Sequence, residues 1–254
     1  MRTFAVANQK GGVGKTTTTV TLAGLLAGRK EPTLVVDLDP HGSLSGYLGY
    51  TVGQQTETVY TLFQRLANGE DLAPKELPLP TRWPYLDILP GSAAMVTLDR
   101  QLGTRDGIGL VLQQAMQALK TRYRHVLFDC PPTLGITMVN ALMACERLLI
   151  PVQTEPMAIN GVDRMLETLQ LLQGMHKPIR FLIVPTMYDR RTRAARETLR
   201  KLRAKYKERV WRAMIPVDTQ FREASERGVP LPFALPQARG VMAYQALLQD
   251  ILQA

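Results

Sequence analysis

Residues 10–16, Lys10-Gly11-Gly12-Val13-Gly14-Lys15-Thr16, set three glycines beside two cations and a hydroxyl, a combination suited to holding phosphate. Gly11, Gly12 and Gly14 let a turn aim its N–H groups inward with no Cβ in the way. Lys15 is expected to reach the β- and γ-phosphates of ATP as a point charge, and the Thr16 hydroxyl to ligate Mg²⁺. Val13 and Thr17 complete the cofactor-binding segment. Two carboxylate positions further along suit phosphoryl chemistry. Asp129 ends the run HVLFD and is expected to reach Mg²⁺ through water, and Asp37 and Asp39 end TLVVDLDP. Pro40 stops that run, which frees Asp39 to lean toward a γ-phosphate and orient water; Asp37 is a second candidate near the metal.

These groups need a scaffold that brings distant segments to one edge. Short apolar runs rich in β-formers, at 3–8, 33–38, 86–89, 125–129, 147–152, 179–184 and 210–216, read as strands. Several are apolar on both faces, as central strands of a covered parallel sheet must be. Helix-length segments at 15–28, 107–123, 161–173 and 193–206 lie between them. Alternation of strand and helix predicts an α/β fold, a doubly wound, mostly parallel sheet with helices on both faces, in a single domain over residues 1–254. Ligands of such sheets bind at the C-terminal ends of the strands, where the loop after residue 8, Asp39 and Asp129 all fall. The Pro-rich and charged stretch 68–84 reads as a surface excursion within that domain.

Composition narrows the setting. Apolar residues make up 45% and charged residues 21% of the chain, which fits a globular protein with an ample core. Cys130 and Cys145 form neither a disulfide framework nor a zinc pattern, no signal peptide opens the sequence, and no apolar run approaches the roughly 18 residues of a membrane span, so a cytoplasmic location is expected. The formal charge of +9 is local: residues 189–212 hold eleven basic and three acidic side chains, and the remainder is nearly neutral. On a helix over 193–207, Arg193, Arg196, Arg200, Arg203 and Lys207 form one stripe, and Ala195, Leu199, Leu202 and Tyr206 an apolar face. That stripe could follow a nucleic-acid backbone without reading bases, and a dimer would present two.

Lys10 is not required by the general phosphate-loop pattern, and with it KGGVGKT resembles the deviant Walker loop of the ParA/MinD ATPases, of the SIMIBI class of P-loop proteins. VVDLDPHGS and LFDCPPTLG resemble the second and third motifs of that family, and PVQTEPMAINGV, VPTMYDRRT and IPVDTQFREAS extend the likeness over nearly the whole chain. The resemblance implies an ATPase that dimerises around ATP, with Lys10 reaching the partner's phosphates, Asp39 as catalytic aspartate and Asp129 linked to magnesium. It also implies Pro216 beside the adenine, retention on nucleoid DNA, and slow hydrolysis stimulated by a cargo or adaptor protein. His41 stands where partition ATPases commonly have glutamine, which alters the hydrogen bonds next to Asp39. DPHGS, MYDRRT and IPVDTQFREAS are most similar to ParA/Soj-like proteins and their polar, chemotaxis-array (ParC) branch; the cargo implied is such an array, a chromosome or a plasmid.

Other readings of the same loop predict other features. A MinD-type membrane-cycling protein would end in a basic amphipathic helix, yet no lysine or arginine follows Arg239, so Val241, Tyr244, Leu248 and Ile251 are expected to dock on the sheet and membrane binding is not expected. A metabolic enzyme such as a dethiobiotin synthetase would add a small-substrate pocket, for which no residues are identified. A nitrogenase iron-protein-like chain would use two cluster cysteines, whereas Cys145 in ALMACERLL reads as a buried thiol. His125, at a strand start, and His176, in a turn, are expected to be structural.

Overall fold

The computed structural model describes residues 1–51, 53–54, 57–103, 107–173 and 178–253. His176 and the turn expected around it lie outside the described residues. The strands are β1 (Arg2–Val6), β2 (Thr33–Asp37), β3 (Leu79–Pro80), β4 (Leu86–Leu89), β5 (His125–Asp129), β6 (Arg147–Gln153) and β7 (Arg180–Thr186), in the sheet order β3-β4-β2-β5-β1-β6-β7. Of these, only β3 runs antiparallel to its neighbour. The helices are α1 (Lys15–Gly28), α2 (Ser43–Tyr47), α3 (Val59–Asn68), α4 (Leu98–Leu102), α5 (Val111–Leu119), α6 (Ile136–Ala144), α7 (Ala158–Gln173), α8 (Arg193–Tyr206), α9 (Gln220–Glu226), α10 (Leu231–Ala234) and α11 (Arg239–Gln253).

Alternation along the central strands builds two cores. Leu34 and Val36, Val126 and Phe128, and Leu148 and Ile150 face α3, α5, α6 and α7 with the end of α8, while Val35, Leu127 and Leu149 face α1, α2, α9, α10 and α11. Such strands are stable only when both faces are covered, so the sheet is doubly wound as expected. Helix α1 is buried along nearly its whole length because α10 and α11 cover its outer side. Gly24 leaves room there for Pro230 and Pro232, and Thr18 shares a 2.7 Å hydrogen bond with the buried Tyr244 hydroxyl of α11. The helix that follows the glycine loop is thus fixed from both sides. Val241, Tyr244, Leu248 and Ile251 are all buried in this contact, the docked arrangement anticipated for the C-terminal helix.

Three elements differ from expectation. Residues 210–216 make only isolated bridges to the sheet, Ile183 with Val210 and Tyr188 with Pro216. The carbonyls of Ile183 and Pro185 accept from the N–H groups of Trp211 and Ile215 at 2.8 Å each, so two residues of β7 are matched by four of the segment. Pro185 has no N–H to return, and the segment bulges away instead of forming a strand. The helix expected from residue 107 begins as a 3₁₀ turn, Ile108–Leu110, before α5. The excursion 68–84 contributes β3 to the sheet edge and sends Leu77 into the core.

Candidate active site

The loop after β1 turns where glycine is needed. Gly12 and Gly14 have φ of 73° and 90°, a region in which a Cβ is strained, and Gly14 caps α1. Nothing lies within 4 Å of a Cβ built on Gly11 or Gly12, so the space beside these two glycines is open, in the loop that leads into the positive end of α1. Val13 is buried, and its carbonyl accepts from Thr186 Oγ1 at 2.9 Å. Thr17 is half-buried, with its carbonyl accepting from Thr21 Oγ1 at 2.6 Å.

Beneath the turn the expected charged groups converge. Lys15 is 8% exposed and donates to the Lys10 carbonyl at 3.1 Å. Burial lowers its pKa, opposed by the charges of Asp129 and Asp39. Thr16 and Thr19 donate to the two oxygens of Asp129 at 2.7 and 3.1 Å. Asp129 is pushed up to about 7 by burial and then by the charge of Asp37, against the pull of both threonines and Lys15. Hydroxyl and carboxylate oxygens beside an open anion cradle are the donor set that Mg²⁺ takes with a nucleotide, so the residues present fit that group.

Asp37 is filled by the protein itself. Its carboxylate accepts from Ser45 N (2.8 Å), Ser45 Oγ (2.6 Å) and Asp39 N (3.1 Å), and burial pushes it up to about 6. Those bonds pin the 39–45 loop to the end of β2, leaving Asp39 at the rim. One Asp39 oxygen, Oδ1, accepts from His41 N (3.0 Å) and His41 Nδ1 (2.9 Å). Lys10 pairs with Glu155, in the turn between β6 and α7. Pro216 borders a groove of about 760 Å³ with Tyr188, Asp189, Arg190, Val217 and Asp218. Met187, the residue before Tyr188, comes within 3.8 Å of a Cβ position on Gly14.

Sequence reasoning missed Thr19, Ser45 and Glu155. Thr19 was recognisable as one turn of helix beyond Thr16; Ser45 and Glu155 carry no signal until folding sets their loops beside Asp37 and Lys10. The basic stripe needs one correction. Helix α8 ends at Tyr206, and Lys207 lies in a 3₁₀ turn with φ of 51°, so it leaves the line of Arg193, Arg196, Arg200 and Arg203. Those four remain exposed, while Ala195, Leu199, Leu202 and Tyr206 are buried as expected.

A glycine turn between a central parallel strand and a helix N-terminus, with lysine, threonine and a strand-end aspartate gathered below it, defines a phosphate-loop nucleotide-binding protein. A family model for the AAA domain (AAA_31) matches residues 1–180. The chain is 35% identical over 254 residues to the chromosome-partitioning ATPase Soj of Thermus thermophilus, covering 99% of this chain and 96% of that protein. It is 33% identical over 256 residues to the chromosome partitioning protein ParA of Caulobacter vibrioides, covering 99% and 94%. It therefore belongs to the ParA family of ParA/MinD-type ATPases. Among solved structures, cobyrinic acid a,c-diamide synthase from Mycobacterium smegmatis with bound ATP analog and magnesium is similar with a TM-score of 0.85 and 28% identity over 100% of this chain and 95% of that one. The ATP complex of a McdA variant from Cyanothece shares the fold, with a TM-score of 0.87 at 20% identity over 100% and 96% of the two chains.

Proposed function

We propose that the whole chain works as one ATP-switched positioning ATPase. It binds ATP and Mg²⁺ through residues 10–17, forms a homodimer around the nucleotide, retains non-specific DNA in that state, and lets go on hydrolysis stimulated by a cargo or adaptor protein. The observation that carries this reading is the open glycine turn with Lys15, Thr16 and Asp129 converging beneath it. Bound Mg²⁺ supplies neutralisation of the charge that develops on the phosphates. Lys15 would exchange the Lys10 carbonyl for phosphate oxygens, and the Thr16 hydroxyl and Asp129 would hold the metal. Asp39 orients the attacking water, and Lys10 leaves Glu155 to reach the phosphates of the second protomer. Pro216 and Tyr188 flank the adenine.

Metabolic and cluster-binding readings are less well supported. Burial pushes Cys145 up to about 12 and Cys130 well above the ordinary thiol range, so both thiols are protonated at neutral pH in the free protein, which disfavours a nucleophilic role. The apolar face of α11 is used against α1, which leaves it no apolar face to lay on a membrane. The test is a pair of variants. Lys15→Ala is expected to lose ATP binding, whereas Asp39→Ala keeps ATP, accumulates as a dimer and loses turnover. Turnover at the wild-type rate in Asp39→Ala overturns the assignment.

A further inference from the structure

We infer that His41 is a positioning residue for hydrolysis, holding one oxygen of Asp39 so that the other is left to orient water. This rests on the reading of Asp39 given above. Residue 41 makes two bonds to the same atom: its backbone N–H reaches Asp39 Oδ1 at 3.0 Å and its ring Nδ1 reaches it at 2.9 Å. A carboxylate oxygen only accepts, so the ring proton sits on Nδ1 and the tautomer is fixed by the contact. Among the described residues no hydrogen bond is made to Asp39 Oδ2. The carboxylate is thereby divided, with Oδ1 tied back into its own turn and Oδ2 unengaged.

The surroundings make this division matter. The Asp39 side chain is 16% exposed at the rim of the site, whereas the imidazole is 85% exposed, so among the described residues Asp39 alone fixes the ring. The turn itself is held from behind. Gly42 N donates to Asp39 O at 2.8 Å, Asp39 N donates to Asp37, and Gly91 packs so closely that an added Cβ would lie 3.0 Å from Asp39 O. With the backbone pinned, what remains is rotation of the Asp39 carboxylate; the His41 N–H restrains it, and the Nδ1–H bond adds a second restraint on the same oxygen. A glutamine in place of His41 would have a longer reach and place its amide near where Nε2 stands. The side-chain contribution at residue 41 thus depends on a donor placed at the Nδ1 position, added to the backbone N–H bond that any residue there would make.

The side-chain amide of asparagine offers a donor near the Nδ1 position, while alanine offers none, which sets the experiment. Single-turnover hydrolysis and ATP affinity are measured for wild type, His41→Ala, His41→Asn and Asp39→Ala. One net hydrogen bond of about 1 kcal/mol corresponds to about fivefold in rate. His41→Ala is expected to hydrolyse about fivefold more slowly with ATP affinity unchanged, and His41→Asn to recover most of that loss. A merely structural role would lower affinity and rate together and would not distinguish Asn from Ala. His41→Ala at the wild-type rate, or His41→Asn as slow as His41→Ala, overturns the inference while Asp39→Ala remains inactive. Turnover in Asp39→Ala at the wild-type rate removes the reading beneath it and the inference with it.

Discussion

At the scale of single residues, the site is kept ready by substitute partners. The Lys15 ammonium occupies a backbone carbonyl where phosphate is expected, and the Thr16 hydroxyl occupies a carboxylate where metal is expected. Lys10 is held by Glu155, with side-chain exposures of 33% and 34%. Partly exposed ion pairs contribute only about 0–1 kcal/mol, so the latch opens readily when a stronger anion is offered. Lys10→Ala is accordingly expected to weaken ATP-dependent dimerisation at least tenfold while changing nucleotide binding by the monomer little. Glu155→Gln, which frees Lys10, should favour the dimer by up to about fivefold, the equivalent of that small ion-pair energy. Light scattering with a non-hydrolysable nucleotide reads both, and an undiminished dimer in Lys10→Ala would exclude the cross-subunit role.

At the scale of elements, the starts of β2 and β5 are joined by a partly buried contact with a pH signature. His125 opens β5 at 2% exposure and its Nε2 meets Glu31, which precedes β2, while Nδ1 has no partner among the described residues. Burial lowers the imidazole pKa, against the raising influence of Glu31. The unfolded chain therefore binds this proton more readily, and the stability contributed at neutral pH is lost as pH falls through about 6.5. Asp37 and Asp129, raised to about 6 and about 7, act with the opposite sign: the folded apo protein keeps their protons, and stability falls as pH rises through that range. The two slopes oppose each other, so the readout is a difference. The melting temperature of His125→Gln minus that of wild type should become more positive from pH 7 to pH 5; a constant difference would mean that His125 does not titrate between the two states.

At the scale of the whole molecule, folding redistributes charge that looks simple along the chain. Arg196 and Arg200 stand exposed on α8, whereas Arg193 is paired with Glu197 at 2.6 Å and contributes less free charge. Arg2, Arg147 and Arg180 open three adjacent strands, β1, β6 and β7, at the sheet edge opposite the glycine turn. Burial lowers the pKa of Arg147, and so do its neighbours Arg180 and Arg2. Two of these arginines donate to the last carbonyls of α11, Arg2 to Leu252 and Arg147 to Ile251, which places their charge at the negative end of that helix. The α8 stripe thus remains the freer basic surface. DNA binding with ATP is expected to weaken steeply with salt, and Arg196→Glu combined with Arg200→Glu to lower the slope of log affinity against log salt by about two per protomer. Equal binding by both proteins, or none at low salt, would exclude α8 and favour a protein scaffold as the partner.

How much of this was legible beforehand follows from the range of the interactions. The glycine loop, strands β4 and β5, and helices α1 and α8 could be read from local pattern, because backbone conformation, apolar periodicity and chain-reversing glycines act over a few residues. Asp129 and Asp39 could be placed near the loop because strand ends of a parallel sheet share an edge. The sequence by itself therefore determined the fold class, the family and the position of the nucleotide site. Only the tertiary structure decided that residues 210–216 leave the sheet at Pro185, that Ser45 takes one oxygen of Asp37, and that Glu155 holds Lys10. It also decided that His41 takes one oxygen of Asp39. Those outcomes depend on side chains from separate segments meeting within hydrogen-bond distance, a condition set by how elements pack rather than by spacing along the chain.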